Sequence, residues 1–215
     1  MSRKDLSSHQ RPSMKTIIVF FNKICKKDFF TLLCILLLHI SCSKEYSYEG
    51  GFTPVPVSIF TTQIPSNQTI NDKMGAIEVG TKFMSSNDGT VIGIKFYKST
   101  GNVGTHTVQL YNYYGAPLAT CVCENETDSG WQTVIFPTAV PIKANTMYVA
   151  AYHSSLGNYS ASFFGLKTAI KNGPLTALAD STLGLNGVFR YTDILDFPIY
   201  GFESSNYWVD VLVVY

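Results

Sequence analysis

The sequence predicts an all-β fold: an antiparallel two-sheet β-sandwich, jelly-roll or immunoglobulin-like, with short loop helices at most. Three observations carry this expectation. Short runs rich in Val, Ile, Thr, Tyr and Phe recur from residue 57 to the C-terminus. Within them apolar and polar residues alternate with the period of two that a half-buried strand requires, and clusters of Gly, Asn, Asp and Pro punctuate them. No internal repeat and no sustained helical period interrupts the pattern.

The elements follow in order. A weak strand at Val57–Thr61 opens the domain. In Ala76–Met84, Ile77, Val79 and Phe83 alternate with Glu78, Gly80 and Lys82, which predicts one core face and one polar face. An Asn87-Asp88-Gly89 turn follows. Val91–Tyr97 then sets Ile92, Ile94 and Phe96 on one face and Gly93, Lys95 and Tyr97 on the other. Thr105–Asn112, Leu118–Cys123, Gln132–Phe136, Thr146–His153 and Val188–Tyr191 repeat the theme. Leu175–Leu178 has a helical leaning of a turn or two. The last strand, Tyr207–Tyr215, is apolar on both faces, which predicts a central place in a sheet.

Charge divides the chain more sharply than its net +1 indicates. Residues 1–42 hold seven of the sixteen Lys/Arg and two of the fifteen Asp/Glu, leaving nine and thirteen for the rest. A leader of +5 thus precedes a body of −4. An acidic body with one arginine, Arg190, excludes a basic nucleic-acid surface. Over the whole chain, 13% aromatic content and 46% hydrophobic content exclude disorder.

The leader has the order of an export signal, with either Met1 or Met14 as its start. Lys15, Lys23, Lys26 and Lys27 precede the apolar run Phe29–Ile40, which at twelve residues is too short to span a bilayer. Ser41 is a small residue before Cys42, and the polar Ser43-Lys44-Glu45 follows. This resembles a bacterial lipoprotein signal, in which the cysteine is acylated and becomes the new N-terminus. The preferred Leu three residues before the cysteine is His39 here, with Leu38 one step further away. The alternative is a cleaved, soluble secreted protein. The division expected is a leader over 1–42, a tether over 43–56 and a β-sandwich domain over 57–215. The destination is the cell envelope, as a lipoprotein facing the periplasm or the cell surface.

Cys121 and Cys123 are the cysteines left in the body. They stand two apart on one strand, about 7 Å along an extended backbone, and cannot close a bridge undistorted. With His106 and His153 as the body's histidines, a zinc site is not expected. No cofactor is predicted, and a structural Ca²⁺ has no pattern to support it.

Several segments then fall in a familiar order: Gly101–His106, Asn125-Glu126-Thr127, Gly130-Trp131-Gln132, Tyr148–His153, Asn172-Gly173-Pro174-Leu175, Asn186-Gly187-Val188, Phe197-Pro198 and Asn206–Val211. Together they resemble the bacterial secreted family named domain of unknown function 4082, over Val57–Tyr215. The resemblance implies an extracytoplasmic β-sandwich module that often accompanies immunoglobulin-like or carbohydrate-related modules, with no established activity. Here the module reads as standing alone behind a lipoprotein-like leader.

No G-x-S-x-G, H-E-x-x-H or phosphate-loop motif is present, so a non-catalytic role is expected. Asp193, Asp196, Glu203 and Asp210 are the acidic residues from which a glycosidase pair would have to come. Sugar rings stack on aromatic planes while amides take their hydroxyls. Asn158-Tyr159, Arg190-Tyr191 and Asn206-Tyr207-Trp208 each place an aromatic beside a planar hydrogen-bonding group. Tyr113, Tyr114 and Tyr200 are further loop tyrosines. The candidate ligand residues are therefore His106, His153, Tyr159, Arg190, Tyr191, Asn206 and Trp208. Structural alternatives stand beside them: histidines satisfying loop carbonyls, Trp208 in the core, and Arg190 holding a carboxylate such as Asp193. Asp180-Ser181-Thr182 matches a short bacterial O-glycosylation pattern or an ordinary turn. The expected function is non-catalytic binding of neutral glycans by a lipid-anchored module. The alternatives are a structural envelope lipoprotein that binds another protein and, third, a glycan-acting hydrolase.

Overall fold

A computed structural model describes residues 54–66, 69–180 and 184–215; the leader, Cys42 and most of the tether lie outside the described residues, as do Ser181 and Thr182. The chain passes through β1 (Thr69–Ile70), β2 (Ile77–Ser85) and β3 (Gly89–Lys98). It continues with β4 (His106–Asn112), β5 (Pro117–Val122), β6 (Gly130–Ile142) and β7 (Tyr148–Ser154). The short strands β8 (Tyr159–Ser160), β9 (Ile170–Asn172) and β10 (Leu175–Ala177) precede β11 (Val188–Tyr191), β12 (Tyr200–Gly201) and β13 (Val209–Val214). No helix forms among the described residues.

The strands make the expected all-β sandwich. The larger sheet has the order β12-β11-β2-β7-β4-β5; β10 extends it on the β11 side of β2, at Phe83–Ser85, and β9 pairs with β10. The smaller sheet is β13-β3-β6, and β1 pairs with β8 apart from both. Every pairing is antiparallel. Alternation then fixes the core. Ile77, Val79 and Phe83 of β2, Val108 and Leu110 of β4, and Ala150 and Tyr152 of β7 meet Val91, Ile94 and Phe96 of β3 and Val209, Val211 and Val213 of β13. Phe96 and Tyr152 stack across the two sheets with centroids 4.5 Å apart.

Several local expectations are corrected. Val91, not Ile92, joins Ile94 and Phe96 in the core, because the register shifts between Val91 and Gly93 and puts Ile92 in a bulge. Leu175–Leu178 begins as strand β10, drawn into the sheet by Phe83–Ser85 rather than coiled. The apolar β13 sits at the edge of its sheet, not its centre. Val57 covers that edge, exchanging both backbone hydrogen bonds with Val213 at 2.8 and 2.9 Å, and this bridge replaces the strand expected at Val57–Thr61. Strand β6 runs six residues past Phe136 through two prolines, which an edge strand tolerates.

The outer face of the larger sheet also departs from simple alternation. Glu78 and Gly80 were expected to be on a polar face, yet Glu78 is fully buried. Tyr111, Val149, Ala151 and Val188 form a second small apolar cluster on that face, with Phe197 packed against it. The segment 192–199, between β11 and β12, supplies Phe197 as the cover.

Candidate functional site

Two places on the larger sheet gather chemistry: an aromatic pocket open to solvent and a polar cluster sealed under the 192–199 segment. The pocket is a cavity of about 300 Å³. Strand β11 supplies Phe189 and Tyr191, and its pleat sends these two inward while Arg190 between them points out. Tyr159 of β8 and Tyr207 before β13 form the adjoining wall. Ile70, Asp72, Phe163 and Phe202 complete the lining. Phe163 and Phe202 are 47% and 51% exposed, which places them at the mouth, whereas Tyr159 and Tyr207 are buried.

The rings pack edge to face rather than as a flat stack. Tyr159–Tyr207, Phe189–Tyr191 and Phe163–Phe202 have centroids 5.7, 5.6 and 5.9 Å apart at 65°, 70° and 78°. Asp72 anchors the polar end. Its Oδ1 accepts the Met74 N–H at 3.1 Å, and its Oδ2 accepts the hydroxyl protons of both Tyr159, at 3.2 Å, and Tyr191. Burial, helped by the Asp72 carboxylate, pushes the Tyr191 phenol up to about 12 and the Tyr159 phenol further still. Both phenols therefore act as proton donors to Asp72 at neutral pH.

Backbone conformation marks the same place. Lys73 beside Asp72, Phe164 beside Phe163, and Glu203 beside Phe202 have φ of +62°, +61° and +48°. Left-handed φ in non-glycine residues costs roughly 1 kcal/mol or more each and persists where surrounding structure holds it. Here the Phe164 N–H donates to the Glu203 carbonyl at 2.8 Å, locking the two mouth loops together.

The sealed cluster centres on Glu78. Its Oε2 lies 3.4 Å from His153 Nδ1 on β7, and its Oε1 accepts Gln109 Nε2 from β4 at 3.1 Å. The Tyr111 hydroxyl on the same face has no hydrogen-bond partner among the described residues. Burial raises the Glu78 carboxyl to about 7, with His153 and Gln109 holding it back and Asp196 adding a small further push. Arg190, the Cα partner of Glu78 across β11–β2, clasps the covering segment through Asp196 at 3.1 Å.

Of the seven residues singled out in the sequence, Tyr159 and Tyr191 come together in the pocket. Arg190 lies on the opposite face of β11, on Asp196 rather than Asp193. His106 is fully buried between Phe96 and Tyr152, with Nδ1 2.7 Å from Glu126 and Nε2 2.9 Å from Asn102. His153, one position beyond the pairing of His106 with Ser154, belongs to the Glu78 cluster on the other face. Asn206 is buried, exchanges backbone bonds with Ser162 and accepts the Trp208 N–H at 2.8 Å. Trp208 is buried against Phe60, at 5.3 Å, and Trp131. The four acidic residues do not share one task. Asp210 is buried, holding the Ile59 and Phe60 N–H groups and Lys95, while Asp196 clasps Arg190.

The pocket also uses residues that do not stand out in the sequence. Asp72 lies in a loop before β2, and Phe163, Phe189 and Phe202 read as ordinary core or loop aromatics. The tandem of Phe163-Phe164 and the aromatic spacing of Phe189, Tyr191, Phe202 and Tyr207 are the signals available. Among the described residues no group of three or more His, Cys, Asp or Glu is placed to hold a metal ion. Among them also, no helix is long and apolar enough to cross a membrane. No curated protein matches the chain. Residues 62–209, well over half the chain and nearly all of the sandwich, match the family described as Domain of unknown function (DUF4082), and the chain belongs to that family.

Proposed function

We propose that the protein is a non-catalytic carbohydrate-binding module of the cell envelope, tethered to a membrane by acylated Cys42, with the aromatic pocket as its ligand site. The observation that carries this reading is the convergence of Tyr159 and Tyr191 on Asp72 inside a cleft walled by aromatic rings. Apolar walls with one fixed polar group are the usual make-up of a small-ligand site, and ring faces suit the C–H faces of a sugar. At about 300 Å³ the cavity is at the small end of ligand sites, which favours the end of a chain over a long internal stretch. The acidic lining disfavours anionic ligands. Binding of the full chain on a glycan array tests the reading. Specific binding should fall at least tenfold in Tyr159→Ala and Tyr191→Ala, and a folded protein that binds no glycan would refute it. Anchoring has its own measurement: radiolabelled palmitate should enter the wild type and not Cys42→Ala.

A second reading has one observation in its favour. Tyr113 and Tyr114 in the β4–β5 turn and Ile194 in the covering segment are exposed at 52%, 88% and 70%, apolar surface of the kind that docks on another envelope protein. Pull-down from solubilised membranes with Tyr114→Ser and Ile194→Ser as controls separates a protein partner at that surface from a ligand in the pocket.

A further inference from the structure

The charge pattern of the aromatic pocket narrows its ligand beyond a sugar ring. Its lining carries one charged group, the Asp72 carboxylate, and no amide, lysine or arginine side chain. Asp72 forms no ion pair among the described residues, where each of the six ion pairs lies elsewhere. Its two phenol partners point their protons at Oδ2, so neither Tyr159 nor Tyr191 has a hydroxyl proton left for a sugar oxygen. Donation to an anion also enriches the two phenol rings in electron density. Neighbouring rings stand at 63° to 78° to one another and so wall a box.

A neutral polyol needs several donors as well as acceptors, and of the three phenols in this lining only Tyr207 has a proton not committed to Asp72. A weakly hydrated cation needs neither: ring faces carry the negative end of the aromatic quadrupole, and a carboxylate beside them supplies the counter-charge. The cation gains most where the rings exclude water, as the buried Tyr159 and Tyr207 do at the base of the box. The −4 charge of the body adds a weak field of the same sign.

We propose that the pocket binds its ligand through an alkylammonium group, either a quaternary ammonium or the protonated amine of an amino sugar. The inference rests on the pocket being the ligand site and specifies the chemistry recognised there. It assigns Asp72 as the counter-ion and the rings of Tyr159, Phe189, Tyr191 and Tyr207 as the cage.

Calorimetric titration of the detergent-solubilised full chain with two matched pairs tests it. Choline is compared with its uncharged carbon isostere dimethylbutanol, and glucosamine with N-acetylglucosamine. At least one charged member should bind tenfold or more tightly than its neutral counterpart. That preference should disappear in Asp72→Asn, an exposed loop substitution, and shrink several-fold as salt is raised. Preference in the choline pair identifies a quaternary head group; preference in the glucosamine pair alone identifies an amino sugar. Equal or tighter binding of both neutral members would overturn the ammonium proposal while leaving glycan binding at the pocket intact. Absence of binding by all four, from protein whose urea midpoint is normal, overturns the ammonium proposal as well. If glycan-array binding is also absent, the pocket reading fails with it.

Discussion

Glu78→Gln should flatten the dependence of stability on pH, and the size of the effect follows from where Glu78 sits. The carboxyl is buried on β2 between β7 and β11, beside the apolar cluster that Phe197 covers, and burial raises it from 4.5 to about 7. At about 1.4 kcal/mol for each tenfold change in proton affinity, that difference corresponds to about 3 kcal/mol. The sign follows from which state holds the proton. Below about 4.5 the folded and unfolded chains both carry it, and the fold has its full stability with respect to this group. Between about 4.5 and 7 the unfolded chain releases the proton while the folded chain keeps it, so stability falls as pH rises. Above 7 both are ionised and the loss is complete. Glutamine keeps an oxygen for Gln109 and never ionises, so the variant lacks this slope. His106, whose burial lowers its proton affinity, contributes with the opposite sign and is common to both proteins. Urea unfolding of wild type and variant from pH 4.5 to 8 should therefore show the variant gaining about 2–3 kcal/mol relative to wild type across that range. A difference constant within about 0.5 kcal/mol would mean that Glu78 ionises in the fold as easily as in the unfolded chain, and the sealed cluster would be refuted.

Other positions give further measurable outcomes. Asp210→Ala removes the acceptor of the Ile59, Phe60 and Val211 N–H groups and leaves Lys95 buried without its carboxylate, 3.3 Å away in the wild type. It should cost about 3–5 kcal/mol in urea unfolding, and a cost under 1 would contradict the arrangement. Gly187→Ala places a Cβ 1.6 Å from the Ser205 carbonyl oxygen at a φ of +67°. A loss of about 3 kcal/mol or more, or failure to fold, is expected by circular dichroism, and near-neutral stability would refute the close approach. Phe197→Ala uncovers the Glu78 cluster, so the pH slope assigned to Glu78 should shrink by at least half; an unchanged slope would show that Phe197 is not the seal.

Much of the fold was legible because alternation and turn residues are local signals. Val188–Tyr191 appears as the sequence predicts it, and the two-residue period of β2 named its inward face, Ile77, Val79 and Phe83, correctly. What escaped was non-local. The bulge at Ile92 depends on how β3 is pinned between β6 and β13, and nothing in the run Val91–Tyr97 announces it. Glu78 reads as a solvent-facing charge because the period of two says which side a residue takes, not what lies on that side. The available hint was in β7, whose residues from Tyr148 to Ser154 are all buried and largely apolar, as a strand covered on both faces requires. The pocket was half legible. Tyr159 and Tyr191 stood out as aromatics beside polar groups, but those polar neighbours, Asn158 and Arg190, accept from Asn71 and clasp Asp196 instead. The carboxylate that joins the tyrosines lies 87 and 119 residues away in sequence.

The pocket and the sealed cluster are also parts of one segment, and this bears on how a ligand would be felt by the fold. Strand β11 contributes Tyr191 to the pocket and Arg190 to the outer face by simple pleat alternation. The chain then crosses the Glu78 cluster, fastened by Arg190–Asp196 and by Phe197 against Tyr111, whose rings lie 5.3 Å apart at 70°. It returns through β12, paired with Val188 and Phe189, to place Phe202 at the pocket mouth. Both ends of the covering segment are thus pocket walls, and its middle is the lid of a group that titrates near neutrality. Ionising Glu78 beside the cluster that Phe197 covers should loosen that cover, while a ligand held between Tyr191 and Phe202 should favour its packing. By linkage, ligand binding should lessen hydrogen exchange at 192–199, and Glu78→Gln should reproduce part of that protection without ligand. Exchange in 192–199 that responds to neither change would show that the two sites are merely adjacent.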